Sequence, residues 1–242
     1  MRKPLTGRVA LEAIRRGALP RLPAGVLEGF RALDDLTGTA SDALDQLGLT
    51  GAIAASVLAP NLPAPRIVGQ AVTVRNVERP ESPAAAAAGG KGRMGEHEAY
   101  NQAEPGDVVV IEGLAQVSNM GGQSATLASR SGCAGAVIDG GYRDPGAARG
   151  LGFPIWSRGA TPVTGKWRLE TAEINGRVRI AGVAVDAGDL ILADEAGIVC
   201  VPFAHAAAVL AEAERIAAGD TRQRQDIAGG IDLATLAATR YK

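Results

Sequence analysis

Apolar and polar positions along this chain follow two periods in turn. Between residues 23 and 36 the apolar positions Val26, Leu27, Phe30 and Leu33 recur every three or four residues, which predicts an amphipathic helix. Ser41 then stands as the N-cap of a shorter helix that ends near Gly48. Residues 66–75 (RIVGQAVTVR) read as a strand, and 76–94, rich in Pro, Ala and Gly, as a long loop. A helix is expected over 95–103. Pro105-Gly106-Asp107 turns the chain into VVVIEG (108–113), a buried strand. A helix over 122–131, a strand GAVIDG (135–140), a helix over 144–151 and a strand FPIWSRG (153–159) complete a βαβα rhythm. That rhythm indicates a parallel or mixed sheet with crossover helices. Three short strands follow: EINGRVRI (173–180, with Asn175-Gly176 as its hairpin turn), GDLILAD (188–194) and GIVCVP (197–202). The chain closes with helices over 204–217 and 221–240. Residues 1–20 are basic without a strong period and read as an arm or short helix. With no repeat or linker in between, the pattern predicts one α/β domain with a central mixed sheet and C-terminal helices.

Composition narrows the function. The 242 residues are 46% hydrophobic and 21% charged, which excludes a disordered, collagenous or coiled-coil chain. A formal net charge of −1 gives no basic field for nucleic acid or anionic lipid. Aromatic residues at 3% leave no stacking platform for single-stranded nucleic acid, and the core falls to Ala, Val, Leu and Ile. The 32 glycines point to many tight turns or close backbone approaches. Cys133 and Cys200 form no CxxC pair and read as small core residues. Glu12, Arg15 and Arg16 interrupt any signal-peptide apolar region, and no apolar run approaches the ~18 residues of a membrane span. The cytoplasm is therefore the expected location.

Candidate chemistry concentrates in Ile138-Asp139-Gly140-Gly141-Tyr142-Arg143-Asp144. A strand ends, two glycines follow, and Arg and Asp open a helix; such strand ends are where α/β folds place ligands. The glycines would let a ligand approach the backbone. Arg143 offers a rigid fork for a carboxylate, and Asp144 a hard oxygen ligand for Mg²⁺ or Mn²⁺. The same pattern also describes a helix-capping Asp beside a surface Arg. Upstream, Asn119-Met120-Gly121-Gly122-Gln123-Ser124 runs from a strand into a helix; its first N–H groups would form an anion site, but the segment alone also reads as an ordinary capped turn. It is neither a GK[ST] phosphate loop nor G-x-G-x-x-G, which excludes a methyltransferase or dinucleotide reading. His97, in GEHEAY, is not part of HExxH because position 101 is Asn, and it reads as a surface helix residue; His205 reads as a helix cap. Ser118 and Ser124 have no evident His or Asp partner for a nucleophile.

The strings PGDVVVIEG (105–113), GGQSATLASRSGCAGAVIDGGYRD (121–144), LGFPIWSRGATP (151–162) and GDLILADEAGIVCVP (188–202) together resemble the RraA-like family. That family holds 4-hydroxy-4-methyl-2-oxoglutarate aldolases and regulators of ribonuclease E activity. The resemblance implies a swivelling β/β/α-like domain over 35–215, with an N-terminal arm over 1–34 and a helical tail over 216–242. It also implies a homotrimer or hexamer with active sites at subunit interfaces. On this resemblance Arg143 binds a small 2-oxo acid and polarises its keto oxygen, and Asp144 holds Mg²⁺ or Mn²⁺. Gly121, Gly122, Gln123 and Ser124 bind the substrate carboxylate. The chain departs from the pattern at Gly122, where many aldolases carry an acid that would orient metal-bound water for proton transfer. Asp42, Glu195 or Glu214 of a neighbouring subunit are the candidate replacements, and Lys166, beside Trp167, is either a second carboxylate binder or a solvated lysine. Segment 80–98 is longer than usual and is expected to reshape the pocket. The implied activity is a metal-dependent lyase that cleaves a 4-hydroxy- or 4-carboxy-2-oxo acid through a pyruvate enolate, as an aldolase or oxaloacetate decarboxylase. The alternatives are a non-catalytic protein-binding regulator and a related metal-dependent lyase or hydrolase on another sugar-derived acid.

Overall fold

The computed structural model describes residues 4–15 and 18–242; Arg16 of the basic arm lies outside them. Helices α1 (Ala24–Ala32) and α2 (Leu36–Gln46) lead into strands β1 (Ala52–Ala54), β2 (Ala59–Pro60) and the long β3 (Ile67–Glu78). Helices α3 (Pro83–Ala88) and α4 (Glu96–Gln102) precede β4 (Val108–Glu112), α5 (Gly122–Arg130), β5 (Gly135–Tyr142), α6 (Pro145–Gly150) and β6 (Ile155–Ala160). Then come β7 (Leu169–Ile174), β8 (Val178–Ile180), β9 (Val183–Val185), β10 (Leu190–Ala193) and β11 (Gly197–Val201), followed by α7 (Ala206–Ala228) and α8 (Leu233–Ala238).

The mixed sheet runs β1-β11-β10-β3-β4-β5-β6-β2, with β7 added to the far half of β3. Strands β3, β4, β5 and β6 are parallel, as the βαβα rhythm requires, while β10 and β7 meet β3 antiparallel. Val108 to Ile111 are wholly buried, which explains their unbroken apolar run. One face carries α4, α5 and α6 through Tyr100, Ala125, Ala128 and Ala148. The β8–β9 hairpin covers the opposite side with Val178, Ile180 and Val185 against Val108, Val110 and Trp156. Helices α1, α2 and α7 pack Phe30, Leu36, Leu44 and Val209 against β10 and β11. Both cysteines are buried. Among the described residues no helix is long and apolar enough to cross a membrane.

Four local expectations change. Helix α2 is capped by Asp35, whose carboxylate accepts the Gly38 N–H at 3.2 Å, so Ser41 sits inside the helix rather than at its start. The expected loop after β3 contains α3, with Ser82 as N-cap and Pro83 in the first turn, both favourable there. Asn175-Gly176 does not close a hairpin, because β7 pairs with β3. The two-residue turn is Ala181-Gly182, with φ of 47° and 92°, joining Ile180 to Val183. Finally, the two C-terminal helices divide after Ala228 rather than between residues 217 and 221: α7 runs unbroken through that stretch and α8 follows from Leu233. Gly219 sits within α7 because the returning C-terminus packs there: a Cβ on Gly219 would lie 2.9 Å from the Tyr241 carbonyl carbon. His205 occupies the N-cap position of α7, but its side chain makes no capping bond.

The N-terminal arm lies across α4 and β7. Glu98 accepts hydrogen bonds from the Thr6 N–H and hydroxyl, Asn101 donates to the Pro4 carbonyl at 2.8 Å, and Arg15 pairs with Glu173 at 2.6 Å.

Candidate functional site

The loop after β4 runs alongside the end of β5 and meets it strand-fashion. The Asn119 N–H donates to the Gly141 carbonyl at 2.8 Å, and the Arg143 N–H to the Met120 carbonyl at 2.9 Å. This pairing brings Gly121–Ser124 and Arg143–Asp144 together at the C-terminal ends of parallel strands. They line one cavity of about 530 Å³, a volume suited to a small ligand.

Gly140 and Gly141 play a different part from the one expected. Neither lines the cavity. A Cβ on Gly140 would meet the Leu114 carbonyl at 2.9 Å and collide with the Asn119 amide, and one on Gly141 would lie 2.7 Å from the Thr161 methyl. The glycines let the 114–119 loop cross the strand, and Asn119 then anchors it, donating to the carbonyls of Leu114 at 3.2 Å and Val117 at 2.9 Å.

Asp144 occupies the N-cap position of α6 in a left-handed conformation (φ 59°, ψ 53°), which Asp tolerates better than most residues. Its side chain does not cap that helix. Instead Oδ2 accepts the Gly122 N–H at 3.0 Å, the first donor of α5, and stands 3.5 Å from Arg143 Nε. The simple capping reading therefore fails for Asp144. Both side chains stay partly open to solvent, Arg143 41% and Asp144 47% exposed. The N–H groups of Gln123 and Ser124 remain first-turn donors that the helix cannot use.

Gly122 is confined. A Cβ there would lie 2.9 Å from Ala147 Cβ and 3.1 Å from Asp144 Cβ. Helix α6 thus occupies the space that an acidic side chain would need.

Glu96, unforeseen in the sequence, lies at the start of α4 and lines the cavity. It is 4% exposed; Oε1 accepts the Ser124 hydroxyl at 2.9 Å, and Oε2 is buried without a hydrogen-bond partner. Its signal was helical spacing: Glu96 shares a face with the buried Ala99, Tyr100 and Ala103, so a carboxylate stands on an apolar stripe. Beneath it, burial first and the Glu96 carboxylate second push the Tyr100 hydroxyl well above its ordinary pKa. His97 lines the cavity too, rather than facing solvent, with its ring edge-on to Tyr100 at 5.9 Å.

Among the described residues, Arg143, Lys166 and Arg8 of the N-terminal arm bring cationic side chains to the cavity. Lys166 Nζ stands 4.4 Å from the centre of the Trp167 ring, a cation–π contact. Gly90, Gly92 and Met94 bring segment 80–98 to the rim, where Arg93 is tied to Glu81 at 2.8 Å and Glu170 at 3.0 Å. Asp42, Glu195 and Glu214 lie elsewhere in this chain. Asp42 pairs with Lys242 at 3.1 Å, Glu195 lines a separate cavity near Arg66, and Glu214 is exposed on α7.

Among the described residues no group of three or more His, Cys, Asp or Glu forms a metal cage. The donor at hand is the half-exposed Asp144 carboxylate, beside space for water and ligand oxygens. Mg²⁺ or Mn²⁺ fits such a site, because it binds through one or two carboxylates and keeps several waters.

The comparisons agree with this architecture. A family model described as Aldolase/RraA matches residues 37–200. A relative from Halalkalibacterium halodurans, provisionally named a 4-hydroxy-4-methyl-2-oxoglutarate aldolase, is 33% identical over 135 residues, 55% of this chain and 64% of its own length. The chain thus spans less than two thirds of that relative. The crystal structure of an uncharacterised protein from Pseudomonas syringae covers 92% of this chain and 97% of its own, with a TM-score of 0.77 and 28% identity. Streptomyces coelicolor RraAS2, titled an unusual member of the RNase ES inhibitor RraA family, covers 87% and 98%, with a TM-score of 0.69 and 25% identity. With most of its length inside the family model and the fold shared across nearly whole chains, the protein is a member of the RraA-like family.

Proposed function

We propose that the protein is a divalent-metal-dependent lyase that cleaves a 4-hydroxy- or 4-carboxy-2-oxo acid through a pyruvate enolate. The observation that carries this reading is the convergence of Arg143, Asp144 and the first turn of α5 on one cavity. Arg143 presents a planar fork to the 2-oxo acid and stabilises the charge that develops on its keto oxygen. The first-turn N–H groups of Gln123 and Ser124 receive a carboxylate. Asp144 would hold Mg²⁺ or Mn²⁺, which when bound supplies a Lewis acid for the keto and carboxylate oxygens. Its bond to Gly122 fixes that carboxylate against α5. Lys166 and Arg8 also line the cavity and add positive charge, which suits a second carboxylate.

The names carried by relatives support an aldolase and, equally, a regulator of a ribonuclease. The buried, half-satisfied Glu96 carboxylate favours the enzyme: a protein-docking surface has no need of it, and leaving it so costs about 1–3 kcal/mol. A trimer or hexamer with shared sites, as the family resemblance implies, is part of the same proposal. Coupled detection of pyruvate from 4-hydroxy-4-methyl-2-oxoglutarate and from oxaloacetate, with Mg²⁺, Mn²⁺ or EDTA, tests it. Release that requires the metal supports the lyase, and silence on both substrates with either metal removes it.

A further inference from the structure

The cavity holds a carboxylate that none of the roles above uses. Glu96 lies at the start of α4, not in the glycine loop, and it reaches α5 at Ser124, two residues beyond the Gly122 that Asp144 binds. Asp144 and Glu96 thus engage the same helix turn at successive levels. One Glu96 oxygen is held by Ser124 and the other has no donor, though the residue is 4% exposed. A buried acceptor left in this state calls for a ligand group or a water to complete it. At Gly122 an acid is excluded by Ala147 and Asp144.

We propose that Glu96 is a catalytic residue of this pocket, accepting the proton of the substrate 4-hydroxyl and returning it to C3. This rests on the lyase reading given above. As the proton leaves the hydroxyl, its oxygen becomes the carbonyl of the departing product. The C3–C4 bond breaks and its electron pair becomes the pyruvate enolate. The proton then passes to C3 and pyruvate forms. No net proton is gained or lost, and no oxidant or reductant takes part. Ser124 orients the carboxylate through its hydroxyl.

Two substrates separate this role from a structural one. Aldol cleavage begins with removal of a hydroxyl proton. Oxaloacetate loses carbon dioxide to give the same enolate with no hydroxyl proton to remove, and solvent can protonate that enolate. Glu96→Gln should therefore lower aldol cleavage by about 10²- to 10⁴-fold, the usual worth of a positioned base. Oxaloacetate decarboxylation should fall far less, and the affinity for pyruvate, measured by calorimetry, should be kept. Glu96→Asp should recover part of the aldol activity. Equal losses on both substrates, or lost pyruvate binding, would mean that Glu96 only supports the fold and would overturn the proposal. Undiminished aldol cleavage in Glu96→Gln would overturn it while leaving the lyase standing. A wild-type protein inactive on both substrates would remove the lyase reading and this proposal with it.

Discussion

The carboxylate of Asp144 stands at the start of one helix and binds the first N–H of another, reaching Gly122 at 3.0 Å. The left-handed backbone at Asp144 turns the side chain away from α6 and toward α5. One residue thereby joins the two segments that the cavity needs. Asp144→Asn retains an oxygen for Gly122 but loses the charge. It should fold with little loss of stability yet bind Mn²⁺ weakly, as read by calorimetry. Asp144→Ala should lose the metal and, in addition, about 1 kcal/mol of stability from the missing hydrogen bond. Equal Mn²⁺ affinity in wild type and Asp144→Asn would place the metal elsewhere.

Gly122→Asp would restore the acid that many aldolases carry. Here its Cβ meets Ala147 at 2.9 Å and crowds Asp144. Overpacking of this kind costs about 1–3 kcal/mol, so thermal melting should show a lower midpoint. Gly122→Asp combined with Ala147→Gly should regain part of the loss. A single variant as stable as wild type would show that α6 yields easily and that sterics do not keep position 122 a glycine.

Arg143→Lys keeps the charge but loses the fork. Loss of one preorganised donor raises a barrier by about 2.7–4 kcal/mol, so pyruvate release should fall roughly 10²- to 10³-fold with the circular dichroism unchanged. Lys166→Ala should instead raise KM for dicarboxylic substrates with little change in kcat. A kcat loss in Lys166→Ala as large as that of Arg143→Lys would assign Lys166 to the reacting end of the substrate.

Glu98 ties the N-terminal arm, and with it Arg8, to α4. Burial pushes its carboxyl up, but bonds from Thr6, Gln102 and Asn101 outweigh this and hold it below the usual value. A carboxyl lowered in the folded state contributes stability above its unfolded pKa of about 4.3, and that contribution is lost as pH falls through the folded value. The urea midpoint of wild type should exceed that of Glu98→Gln by a constant amount from pH 7 to about pH 5, and the gap should close in stronger acid. A gap that widens on acidification would contradict the assignment.

The sheet was legible because its strands are extreme in pattern. VVVI at 108–111 is buried on both faces, and its shortness, its β-branched residues and the Pro105-Gly106 before it mark such a run as a strand rather than a buried helix. Arg143 and Asp144 were legible because polar residues directly follow such a strand. Glu96 is not, because a lone carboxylate on an apolar helix face forms no motif, and GEHEAY lacks the HExxH spacing. The role of Gly140 and Gly141 was equally hidden, since it depends on Asn119, a residue 21 positions away from Gly140 that crosses the strand only in three dimensions. The α2 boundary shifted for a similar reason. Asp35 and Ser41 are both good caps by type, and the burial of Leu36, Thr37 and Ala40 decides between them.

Every substrate in the proposed class passes through one species, the pyruvate enolate. Exchange of the C3 protons of pyruvate for deuterium, followed by proton NMR in D₂O, reports on that species without a guess at the natural substrate. With Mg²⁺ or Mn²⁺ the wild-type protein should exchange these protons well above the protein-free rate. The exchange should stop with EDTA and fall sharply in Arg143→Lys and Asp144→Asn. Pyruvate that binds in the presence of metal but keeps its protons would contradict the account.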